Sequence, residues 1–96
     1  MKRVILLIFA CVSVCGCTHV VYTGQVSEVR QLRGGMVIDL NGTYPNQAMT
    51  VYIPREDEFK FTSLPSIGDT LAVKGKVSQY RGRPEIIVTS SDQLEK

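Results

Sequence analysis

Hydrophobic positions follow two regimes along this chain, one unbroken and one alternating. Behind Lys2 and Arg3, an apolar run extends from Val4 to Val12 and, past Ser13, to Val14. It supplies about half of the ~20 apolar residues a spanning helix needs, so it reads as the hydrophobic region of a signal peptide. After it, no stretch keeps helical periodicity for more than about two turns, and five stretches carry strand character. Residues 20–32 form the first, with Val21, Gly24, Val26 and Val29 as its apolar or small positions and Gly24 marking a bulge. Residues 36–40 put Met36, Ile38 and Leu40 on one face, and residues 49–53 alternate cleanly up to Pro54. Residues 70–80 send Leu71, Val73, Gly75 and Val77 inward and Lys74, Lys76, Ser78 and Tyr80 outward. Residues 84–90 carry Ile86, Ile87 and Val88. Turns fall at Arg33-Gly34-Gly35, Asn41-Gly42 and Arg81-Gly82-Arg83, where Gly82 supplies the positive φ of a tight hairpin. Phe59 and Phe61 are expected to pin the charged segment 55–58 to the core, and Leu94 to pack against the bottom of the sheet.

An all-β domain follows from this pattern. With residues 1–16 assigned to the signal and 17–20 to a tether, residues 20–96 form a single domain near the lower size limit for a core without staples. Such a chain does best as a closed sheet, which leaves little unpaired edge. Five strands, a bulged first strand and a gap between the third and fourth match the plan of a five-stranded OB-fold barrel. The segments Gly24-Gln25-Val26, Tyr44-Pro45-Asn46-Gln47 and the long run from Gly75-Lys76-Val77 to Arg83-Pro84-Glu85-Ile86 resemble a bacterial family of OB-fold domains of the anticodon-binding type. Members stand alone behind signal peptides or are fused to secreted nucleases. The resemblance covers essentially the whole mature domain. One departure is expected: residues 59–66 have room for one helical turn at most, so the capping helix between strands three and four is short or absent.

The end of the apolar run, Val14-Cys15-Gly16-Cys17, resembles the bacterial lipobox, although Cys15 stands where Ala or Ser is usual. The resemblance implies cleavage before Cys17, a thioether-linked diacylglycerol on its sulfur, and a further, palmitate-type acyl chain on the new amino group. Two or three chains anchor durably where one exchanges off. Thr18 in place of an Asp points to the periplasmic side of the outer membrane in a Gram-negative envelope. Cys11 and Cys15 leave with the signal and Cys17 is lipidated, so the mature domain has no disulfide. The formal charge of +2 is that of Lys2 and Arg3, leaving a mature chain close to neutral. That excludes a strong non-specific nucleic-acid binder relying on a basic excess.

Candidate chemistry is sparse. His19 is the single histidine, next to the tether and without a nearby Cys or carboxylate, which leaves no general base and no metal site. Glu56, Asp57 and Glu58 are consecutive, so their side chains diverge and suit a solvated loop better than a cation. Neither an enzyme nor a cofactor is expected. OB barrels bind ligands across strands two and three, between the first-to-second and fourth-to-fifth loops. Those loops hold Arg30 and Arg33 on one side and Arg81 and Arg83 on the other, with Lys74, Lys76, Tyr80 and Tyr52 extending the surface. Arginines with an aromatic suit single-stranded nucleic acid by phosphate pairing and base stacking. They equally suit an anionic envelope polymer, a lipid head group or a carboxylate on an envelope protein, and basic strand ends also serve simply to keep edges soluble. Asn41-Gly42-Thr43 matches a glycosylation acceptor, but behind a bacterial signal it is read as a turn.

Overall fold

A computed structural model describes residues 19–96; the expected signal peptide, Cys17 and Thr18 lie outside them. The described chain folds as strands β1 (His19–Gln31), β2 (Gly35–Leu40), β3 (Met49–Pro54), β4 (Thr70–Tyr80), β5 (Arg83–Ile87) and a short β6 (Leu94–Glu95). The sheet runs β1-β2-β3-β5-β4, and β4 pairs back with β1, so five strands close into a ring with β6 appended to β4. All pairings are antiparallel except β3 with β5. This is the expected five-stranded OB-fold barrel. In place of a capping helix, a six-residue 3₁₀ helix, Arg55–Lys60, follows β3 directly.

Alternation fills the barrel. Ile38, Leu40, Met49, Val51, Ile53, Leu71, Val73, Ile86 and Val88 are buried together, as the two-residue period demands. In β1 the inward set is Val20, Tyr22, Gly24 and Val26, whereas Val21 lies outward and is 44% exposed. Phe61 packs against the core and Leu94 joins it, whereas Phe59 is 79% exposed and pins nothing. A 3₁₀ turn places successive side chains about a third of a turn apart, so two phenylalanines two residues apart cannot both face the core.

One strand closes the barrel by changing partners. Residues 19–25 of β1 pair with β4, and residues 26–31 pair with β2. The register to β2 slips between Val26 and Glu28, so the bulge falls at Ser27, not at Gly24. Asn41, at the end of β2, fixes the changeover. Its Oδ1 accepts the Gln25 N–H at 3.0 Å and its Nδ2 donates to the Tyr22 hydroxyl at 2.8 Å. The Gly42 N–H donates to Ser27 Oγ at 2.7 Å. Gly24 is there for space: a Cβ on it would stand 2.8 Å from Asn41 Nδ2. The Asn-Gly pair is therefore a turn whose side chain ties β1 to the end of β2, with Asn41 at φ 55°.

The register can be tested with two neighbouring isoleucines. Ile86 is fully buried and Ile87 is 44% exposed, so Ile86→Ala should cost about 2–5 kcal/mol and Ile87→Ala should stay within about 1 kcal/mol. Equal shifts of the urea midpoint would contradict the assigned faces.

Candidate functional site

The outward face of β2, β3 and β5 is organised in rungs, because residues directly paired across strands share a face. One rung is Arg30-Val37-Tyr52-Ile87, running from β1 to β5. The next is Glu28-Asp39-Thr50-Glu85-Ser78, running from β1 to β4. Over these rungs lies an open cavity of about 740 Å³, within the range of small-ligand sites. Arg30, Val37, Thr50, Tyr52, Glu85 and Ile87 form its floor, and the loop residue Tyr44 and the hairpin residues Arg81 and Arg83 its sides.

Three bonds brace the end of the groove nearest the β1–β2 turn. Arg30 grips Asp39 through two parallel hydrogen bonds, Nε to Oδ2 at 3.0 Å and Nη2 to Oδ1 at 3.2 Å. The two residues are diagonal neighbours across β1 and β2, within reach of a long side chain. Asp39 is wholly buried, and a buried carboxylate without a paired cation would be strongly destabilising. The Arg30 guanidinium also lies 4.8 Å from the centre of the Tyr44 ring, a cation–π distance. The third brace is the Tyr52 hydroxyl, which donates to the Gly34 carbonyl at 2.7 Å. Arg30 is thus structural first: its charge is balanced by Asp39 and covered by Tyr44.

The other end carries free cationic charge. Tyr80 pairs with Arg83 across a two-residue turn in which Arg81 and Gly82 both have positive φ, 55° and 79°. That is the geometry of a hairpin whose twist matches its strands, and Gly82 meets it at little steric cost. Arg81 is thereby turned back over Tyr80, its guanidinium 5.3 Å from the ring centre. Tyr80, Arg81 and Arg83 are all exposed. No carboxylate pairs with either arginine among the described residues.

Between these ends sits Glu85, flanked by Thr50 on β3 and Ser78 on β4, with no salt-bridge partner among the described residues. Burial strips water from its carboxylate and raises its pKa above the ordinary 4.5. Gln47, only 6% exposed, lines the same cavity. Its Nε2 donates to Thr50 Oγ1 at 2.8 Å, and its enclosed Oε1 has no partner among the described residues.

Of the residues the sequence nominates, Arg30, Tyr52, Tyr80, Arg81 and Arg83 come together around this cavity. Arg33 lies in the adjoining turn, where its carbonyl accepts a hydrogen bond from Arg55 at 3.1 Å, and it does not line the groove. Lys74 and Lys76 stand elsewhere, opposite Val21 and His19 on the outer face of β1 and β4. Four further lining residues, Tyr44, Gln47, Thr50 and Glu85, carry polar groups that sequence reasoning did not nominate. Among the described residues, no three His, Cys, Asp or Glu side chains converge as metal ligands.

Residues 20–92 match the family model of the OB-fold nucleic acid binding domain, of the tRNA anticodon type. Among curated proteins, no match is found.

The raised Glu85 pKa has a definite sign. In the unfolded chain the group ionises near 4.5, and in the folded chain only at higher pH. Its contribution to stability is therefore full below about pH 4.5 and is lost as pH rises through the folded value. A Glu85→Gln variant lacks that loss. Its thermal midpoint should gain on that of the wild type as pH rises above about 4.5, and parallel curves would contradict the desolvated placement.

Proposed function

Because the chain belongs to the family of OB-fold nucleic acid binding domains, we propose that it is a non-enzymatic, membrane-anchored module whose groove binds single-stranded nucleic acid. The observation that carries this reading is the placement of Arg81 and Arg83, cationic and without ion-pair partners among the described residues, beside exposed Tyr80 at one end of a floor of alternating apolar and polar rungs. Phosphates pair with arginines, and an unstacked base finds an aromatic ring or apolar shelf. Tyr44 and Tyr52 continue the stacking surface toward the other end. Because Arg30 is committed to Asp39, the free charge is small, and the reading is of a weak, salt-sensitive binder. Within the groove, Glu85 is the one carboxylate outside an ion pair and no histidine accompanies it. That composition supports binding over catalysis.

The anchor part of the proposal rests on the lipobox-like Val14-Cys15-Gly16-Cys17, which places the lipid two residues before β1 begins at His19. The barrel is then held close to the membrane surface, on the periplasmic side of the outer membrane in a Gram-negative envelope. A second reading, an envelope protein as partner, is favoured by Phe59, 79% exposed on the 3₁₀ helix and outside the groove.

Two experiments test these parts separately. Titration of labelled single-stranded DNA and RNA should give binding that weakens steeply with salt. The Arg81→Ala/Arg83→Ala variant should bind more weakly, with its logarithmic salt slope reduced by up to about 1.4, or 0.7 per lost phosphate contact. Unchanged binding in the variant would move the ligand out of this groove. For the anchor, Cys17→Ala should shift the protein from the membrane fraction to the soluble fraction and remove the acyl mass increment; membrane retention without the lipid would overturn it.

A further inference from the structure

Glu85 is an unusual residue to find on the floor of a groove for a polyanion. A carboxylate there repels phosphate, and among the described residues no ion pair neutralises it: Arg30 is bound to Asp39, Arg81 lies over the Tyr80 ring, and Arg83, two residues away on the same face of β5, makes no salt bridge with it. The repulsion sorts the ligand. Phosphates are confined to the side held by Arg81 and Arg83, and whatever lies on the floor must bring hydrogen-bond donors. Burial has already stripped water from the Glu85 carboxylate, so a donor supplied by the ligand replaces hydration the carboxylate has lost.

We propose that Glu85 reads the base, accepting two hydrogen bonds from the Watson–Crick edge of an unstacked guanine, so that the groove prefers single strands containing guanine. The inference rests on the nucleic-acid reading given above. Its chemistry is a matching of edges. An ionised carboxylate is acceptor-only, with two oxygens side by side. Guanine presents two adjacent donors on that edge, the ring N1–H and the exocyclic amine. Cytosine and adenine offer one amine beside a ring acceptor, and thymine or uracil offers a single N–H between two carbonyls. Each of these sets an acceptor against a carboxylate oxygen. Single strands leave that edge free to be read, and a site built around a buried polar group rejects ligands that leave it unpaired. Tyr52, one rung away on β3, provides a ring beside the same position.

The test uses the full-length protein and a short thymidine single strand, compared with the same strand carrying one central guanosine, adenosine or cytidine. A single guanine avoids self-association of the probe. The guanosine strand should bind about tenfold tighter than the all-thymidine strand, within the span that one read base commands. Glu85→Gln should abolish that preference while strengthening binding of the thymidine strand, because the repulsion of phosphate is removed. Glu85→Asp, which keeps the charge but withdraws it by one methylene, should shrink the preference without strengthening the thymidine strand. Equal affinity of the wild type for all four strands would overturn the base-reading role and leave nucleic-acid binding standing. A guanine preference that survives in Glu85→Gln would overturn it as well. Absence of binding to every strand at low salt would remove the nucleic-acid reading itself.

Discussion

The barrel depends on β1 pairing with two different strands. A sheet of five short strands stays open, with two unsatisfied edges, unless one strand bends far enough to join both sides. Here the bend occurs at Ser27, where one extra residue lets β1 leave β4 and continue along β2. Asn41 holds the bend through Gln25 and Tyr22, and Gly42 holds it through Ser27. The same bend delivers Arg30 to the outer face beside Asp39, so closure of the barrel and bracing of the groove share one local geometry.

The groove that results is built from compensated charge. Its Arg30–Asp39 pair stiffens one end without offering free charge to a ligand, while the hairpin end leaves Arg81 and Arg83 uncommitted. Between them lies a floor of alternating apolar and polar rungs. A surface of this kind binds through position more than through bulk attraction, in keeping with a domain close to electrical neutrality. The family to which residues 20–92 belong establishes the fold; the local chemistry of Glu85, Gln47 and the tyrosines is this chain's own.

Much of this was legible in the sequence, and what was not has physical reasons. The faces of β2, β3 and β4 follow from strict alternation, and the Arg81-Gly82 turn from its glycine. In β1 the adjacent Val20 and Val21 fit either face. The frame is decided by Tyr22, whose hydroxyl reaches Asn41 from inside, a long-range contact that periodicity does not contain. Lys74 and Lys76 share the outward phase of Tyr80, yet β4 coils around the barrel, its first half along β1 and its second along β5. One outward stripe therefore serves two different surfaces. Asp39 stands at an outward position and so reads as solvated. Its burial depends on Arg30 beside it, and a lone acid in Val37-Ile38-Asp39-Leu40 was the one signal available. Tyr44 and Gln47 come from a loop whose path over the floor no strand pattern encodes.

Amide and side-chain resonances of the full-length protein, followed by NMR during titration with a guanine-containing single strand at low salt, show whether the outer face of β2, β3 and β5 is the binding surface. Shifts should concentrate on Thr50, Tyr52, Tyr80, Arg81, Arg83, Glu85 and Ile87, with Val21, Lys74 and Lys76 unmoved. Shifts centred on the β1–β4 face, or on Phe59 with the groove silent, would contradict that assignment.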